Sequence, residues 1–150
     1  MNEPLLEHIT EPDGRLLAII VRSGLRMQGT HFFTPGDFAQ QLGYLGLPAG
    51  QRIEPHRHNT SSREVVKTQE ALFIRSGVLR VDIYTTDNDY LLSRTLYAMD
   101  TILLVDGGHG FEVLEELEML EVKQGPYLGV NDKQPISGVA MTSSTKSGQT

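Results

Sequence analysis

The chain has 150 residues, no cysteine and a formal net charge of −6, with 39% hydrophobic and 21% charged residues. This is the composition of one ordinary globular domain. It excludes disulfides, zinc fingers and thiol catalysis, and without a Lys/Arg cluster no nucleic-acid partner is expected.

Residues 1–14 read as a polar segment closing on the turn Pro12-Asp13-Gly14, with His8 as a solvated residue. The segment lacks a basic region followed by a long apolar stretch, so it does not read as a secretory signal. No apolar run approaches the ~20 residues of a membrane helix. A cytoplasmic protein without a membrane partner is the expectation. Arg15 to Arg22 carries Leu-Leu-Ala-Ile-Ile-Val, short enough for a buried strand, and Leu25 to Phe33 is compatible with a partner strand. His31, beside Phe32 and Phe33, reads as a hydrogen-bonded residue of the core or an interface. Thr34-Pro35-Gly36-Asp37 is a turn that predicts a single helical turn over 38–41, and the chain returns to a strand through Tyr44, Leu45 and Leu47.

Next comes Glu-Pro-His-Arg-His, which places His56 and His58 two apart. On an extended strand such a pair shares one face, and Pro55 argues against a helix. The polar stretch 59–63 follows, in which Arg63 reads as a solvated surface residue, with the shaping of a pocket as its alternative, and then comes Glu64. Glu70 opens the apolar run Ala71-Leu72-Phe73-Ile74, read as a strand ending at Gly77. From Val78 to Thr85 apolar and polar residues alternate, as in a half-buried antiparallel strand. The 86–89 segment supplies a hairpin turn, which accounts for Asp87 and Asp89 without calcium, and Tyr90 to Met99 returns. Thr101 to Val105 is a further strand, separated from His109 by Asp106-Gly107-Gly108.

The last strands, 110–114 and 117–124, predict a hairpin around Glu115-Glu116. Met119, Glu121 and Lys123 share one face of the closing strand, and Leu120 and Val122 share the other. If the polar face looks inward, Glu121 and Lys123 enter a pocket with Tyr127 close by. If it looks outward, which is the favoured reading, they form a surface ion pair of little energetic value. The tail 137–150 is rich in Ser, Thr, Gly and Lys and is expected to be disordered, leaving 15–136 as the domain.

Gly50, His56, His58, Glu70 and Gly77 resemble the first motif of the cupin superfamily, a glycine, His-x-His, a glutamate and a second glycine. His109 stands near the histidine of the second motif, with Met99 where that motif has a glycine. The resemblance covers about residues 43–125. It implies a jelly-roll β-barrel with the N-terminal strand pair outside the barrel, and a homodimer formed through that pair. It also implies that His56, His58, Glu70 and His109 hold a divalent metal. The gap between His58 and Glu70 is longer than the family usually has, so Glu64 is a rival for the carboxylate, with the spacing to Gly77 favouring Glu70.

Three imidazoles and a carboxylate accept iron, manganese, nickel, copper or zinc alike, and leave positions open on the ion. The expected function is therefore a metal-dependent enzyme on a small polar or anionic substrate, of dioxygenase or sugar isomerase and epimerase type. A cupin that binds a sugar or acid without turnover is the alternative. For an isomerase, Glu64, Glu121 and Lys123 are the candidate bases. Fold alone does not select the reaction.

Overall fold

The computed structural model describes residues 3–137, and the fold is all-β with no α-helix among them. Eight strands follow in chain order: β1 (Leu6–Thr10), β2 (Leu16–Val21), β3 (Gly29–Phe32), β4 (Gly43–Gly46), β5 (Glu70–Tyr84), β6 (Tyr90–Tyr97), β7 (Thr101–Leu104) and β8 (Gly108–Lys123). Six of them form one curled, half-barrel sheet. Its order is β1-β2-β7-β5-β6, and β8 lies along the other edge of β5. All its pairings are antiparallel. β3 and β4 form a separate two-stranded sheet.

A strand pair thus lies outside the main sheet, but its members are β3 and β4. The Leu-Leu-Ala-Ile-Ile-Val strand, expected to pair with the segment after it, sits inside the sheet between β1 and β7. Its composition explains this. Leu17, Ala18, Ile19 and Ile20 are apolar on both faces and fully buried, a pattern that an outlying hairpin strand cannot accommodate. The 1–14 segment, read as merely polar, contributes β1 and buries Ile9.

One core cluster fills the concave side with Leu17, Ile20, Leu72, Leu79, Val81 and Leu96 among others. Each such side chain contributes roughly 1.5–3 kcal/mol on burial. A second cluster, Ile19, Ala71, Leu103 and Val105, lies on the opposite side under Phe33, Phe38 and Leu42. The stretch 38–41 forms no helical turn; the turn lies just before it at Gly36-Asp37, closed by the Phe38 N–H donating to the Pro35 carbonyl at 3.1 Å.

Two expected breaks in the chain are absent. The apolar run from Glu70 and the alternating strand after Gly77 are one strand, β5, and the predicted hairpin around Glu115-Glu116 is the middle of β8. Register shifts at Ile74/Ser76, Ser76/Val78 and Val78/Leu79 bend the two strands together. Gly77 takes φ +87°, and a Cβ there would come within 2.0 Å of the Glu116 carbonyl oxygen. The glycine that looked like a strand end permits a bulge instead. No helix among the described residues is long and apolar enough to cross a membrane. The predicted tail lies, apart from Ser137, outside the described residues.

Candidate functional site

At one end of the half-barrel, the first residue of β5 and the first turn of β8 converge. Glu70 is opposite Leu104 of β7 on one side and Lys123 of β8 on the other. The Glu70 carboxylate, with 10% of its side chain exposed, lies 3.2 Å from His109 Nε2, and the imidazole is 30% exposed. The hydrogen bond and charge of His109, with Lys123 and Lys133 assisting, hold the Glu70 carboxyl below its ordinary value against the opposing effect of burial. Glu70 is therefore an anion at neutral pH.

Lys123 extends the cluster. Its Nζ is 3.1 Å from Asp132, 3.6 Å from Glu121 and 3.9 Å from Glu70. The hydrogen bond to Asp132 is the chief reason its ammonium titrates above the ordinary lysine range. The Lys123 ammonium also lies 5.7 Å from the centre of the otherwise exposed Tyr127 ring. The polar face of the closing strand therefore looks inward, opposite to the favoured reading. The register explains this: Lys123 faces Glu70 and Glu121 faces Leu72, so both share the side on which Leu72 is buried. Leu120 and Val122 are left outside, 56% and 53% exposed.

Beside Glu70 and His109 opens a cavity of about 640 Å³, which falls in the size range of small-molecule sites. Tyr84, the Gly107-Gly108 turn, Asp106 and the returning segment Asp132 to Ile136 complete its wall. At Gly108 the missing side chain matters, since a Cβ there would meet Ile136 Cδ1 at 2.1 Å. Tyr84, Asp132 and Lys133 are site residues that the sequence reading did not identify. Lys133 and Asp132 carry no local signal, because they reach the site only through the chain's return after β8.

The remaining candidates lie elsewhere. His56, His58, Arg63 and Glu64 belong to 47–69, a stretch without regular secondary structure, instead of an extended strand. The two imidazoles remain neighbours, with ring centroids 5.5 Å apart and planes at 75°. His56 Nδ1 is 2.9 Å from the Glu54 carbonyl oxygen. Glu64 is exposed and Glu70 is the carboxylate in contact with His109. Of the two lone histidines, His8 lies 3.2 Å from the Phe33 carbonyl and His31 lies 2.7 Å from that of Gln28.

The four residues expected to share one ion thus stand as two pairs, Glu70 with His109 and His56 with His58. Among the described residues no group of three or more His, Cys, Asp or Glu side chains is gathered for a metal. Two donors fall short of the three or four protein ligands that a transition metal is usually given. As arranged within one chain, the donor set does not fit a bound ion. Comparison with family models, with curated proteins and with solved structures finds no match to this chain.

Proposed function

We propose that the chain is a small-molecule-binding protein of cupin type whose ligand occupies the cavity beside Glu70 and His109. The observation that carries this reading is that the cavity wall concentrates ionised and polar groups from segments far apart in sequence. Glu70, Asp106 and Asp132 present carboxylates there, His109 and Lys133 present nitrogen donors, and Tyr84 also lines the wall. Carboxylates accept hydrogen bonds from hydroxyls, and imidazole and ammonium groups donate to them. The carboxylates are matched by cations, Asp106 by Lys67, Asp132 by Lys123 and Glu70 by His109 and Lys133. The wall therefore carries no net positive charge to hold an anion and favours a neutral, hydroxyl-rich compound of sugar or polyol type.

The same arrangement bears on catalysis. Glu70 is held as a stable anion by His109, and Lys123 is engaged by three carboxylates, so neither is poised near neutrality to exchange a proton. This favours binding over turnover. A metal-dependent enzyme is the second reading. It is supported by the 3.2 Å approach of Glu70 and His109, the two residues from separate motifs that the cupin resemblance puts on one ion.

Two measurements on untagged protein test these readings. Calorimetry against a panel of monosaccharides, polyols and small acids is expected to give binding that Glu70→Gln and His109→Ala each weaken by at least tenfold. A tight ligand unaffected by either variant removes the assignment of the cavity. Elemental analysis separates the second reading. Near-stoichiometric iron, manganese, nickel, copper or zinc, lost in His109→Ala, favours the metal enzyme, and metal-free protein with full ligand affinity eliminates it.

A further inference from the structure

The half-barrel is open along β8. All of its pairings are with β5, and among the described residues no strand lies on its other edge. It runs for 16 residues, a long free row of backbone donors and acceptors of the kind that proteins normally cover or break up. Exposed apolar side chains stand along it, Phe111 and Val113 on one face and Leu120 and Val122 on the other, each 39–58% exposed. Such surface beside an unpaired edge suits the addition of another strand.

The chain holds a second unpaired feature, shorter than β8 and of opposite net charge. From Leu47 to Thr68 every residue is exposed. Its hydrogen bonds from Pro48 to Val66 are to itself, and near its end Lys67 forms an ion pair with Asp106, just after β7. Structureless loops of more than about 12–15 residues are uncommon in a compact domain. Within it, 56–66 contains neither proline nor glycine and exposes Val65 and Val66. Extended, those residues span roughly 36 Å, against roughly 53 Å for β8. β8 carries Glu112, Glu115, Glu116, Glu118 and Glu121 against a single Lys123, whereas 51–66 carries Arg52, Arg57 and Arg63 against Glu54 and Glu64.

We infer that this chain forms a reciprocal dimer in which residues 56–66 of each copy add as a strand to the free edge of the other copy's β8. Pairing β8 with β8 across a twofold axis would set one row of glutamates against another, and like charges directly opposite destabilise a ladder. The arm meets that row with arginines. Its own β8 is not taken up by the arm: the root is held by the Lys67–Asp106 ion pair and by the Gln69 N–H donated to Gln124 Oε1, and residues 56–66 form no ladder with the β8 of the same chain. This interface does not involve the β1–β2 pair and does not depend on the proposed ligand.

The test combines charge reversal with cross-linking, read by light scattering and sedimentation of the full chain. The unaltered chain is expected to dimerise. Arg57→Glu with Arg63→Glu, and separately Glu115→Arg with Glu118→Arg, are each expected to weaken the dimer about tenfold or more. Mixing the two variants restores it, because both arms of the mixed dimer again meet opposite charge. Since the chain lacks cysteine, a Ser62→Cys chain mixed with a Val113→Cys chain can join only between copies, and that disulfide is expected under mild oxidation. A monomer at all concentrations overturns the inference. So does an arm-reversed variant that dimerises as well as the original, which would indicate β8 against β8. A Ser62→Cys, Val113→Cys double variant that closes within one chain in preference to joining two also overturns it.

Discussion

Lys67 and Glu70 are three residues apart and belong to opposite kinds of structure. Glu70 begins a strand with ladder partners on both sides and a carboxylate shielded from water. Lys67 lies near the end of an exposed stretch and forms an ion pair with Asp106. The difference is not one of polarity, since 70–84 contains Glu70, Arg75, Arg80 and Asp82. It lies in partnering. Every charge on β5 that enters the interior finds a fixed counterpart, as Asp82 does in Arg80 at 3.1 Å and in Ser93. Among the described residues Arg52, Glu54, Arg57, Arg63 and Glu64 of the arm make no ion pair, and the dimer proposed above would supply their partners.

The largest effect is expected where the sheet ties its own turns together. Arg22 is 8% and Asp100 3% exposed at their side chains, 2.9 Å apart. Asp100 also accepts the backbone N–H groups of Ser23 at 2.8 Å and Tyr97 at 3.0 Å. Asp100→Ala leaves Arg22 with Glu3 as its remaining carboxylate partner and removes the acceptor of two backbone N–H groups, and should cost about 2–4 kcal/mol in a denaturant titration. Gly77→Ala comes next. The new Cβ meets a backbone carbonyl at 2.0 Å at a positive φ, and a loss of roughly 1–3 kcal/mol is expected.

The Glu70–His109 contact predicts a pH dependence of definite sign. Because folding lowers the Glu70 pKa from 4.5, its contribution is fully present above that value and is lost as pH falls through the folded-state pKa. Stability measured from pH 6 downward should therefore decline below about pH 4.5. His109→Ala should make that decline shallower and move the Glu70 carboxyl resonance back toward its ordinary titration midpoint. The smallest effect belongs to the arm. Val66 is 83% exposed, and Val66→Ala should change the stability of the dilute, monomeric chain by less than about 0.5 kcal/mol. A loss of 2 kcal/mol or more there would mean that the arm packs against its own sheet.

Much of the frame was legible from local pattern. The alternation of Leu79, Val81 and Ile83 with Arg80 and Asp82, and the six-residue run of β2, specify strands by themselves, because a period of two leaves one face or both apolar. The Thr85–Asp89 hairpin was equally readable, and Asn88 at φ +69° meets its geometric demand. Met99, where the second cupin motif has a glycine, takes φ +70°. The position thus requires the backbone that a glycine adopts most easily, even though the residue does not advertise it. Strand ends were less readable, since Gly77 and Glu115-Glu116 carry turn chemistry that pairing converts into a matched bend.

The sequence by itself determined the all-β class and the buried strands, because hydrophobic period is a property of the chain alone; that Glu70 and His109 belong together, with His56 and His58, was what the cupin resemblance implied. Only the tertiary structure decided that β2 lies within the sheet, that Lys123 faces inward, that Asp132 and Lys133 return to the cavity, and that His56 and His58 stand apart from Glu70. Each of those depends on which strand lies beside which, and a ladder forms between residues dozens of positions apart whose mutual register no local pattern encodes.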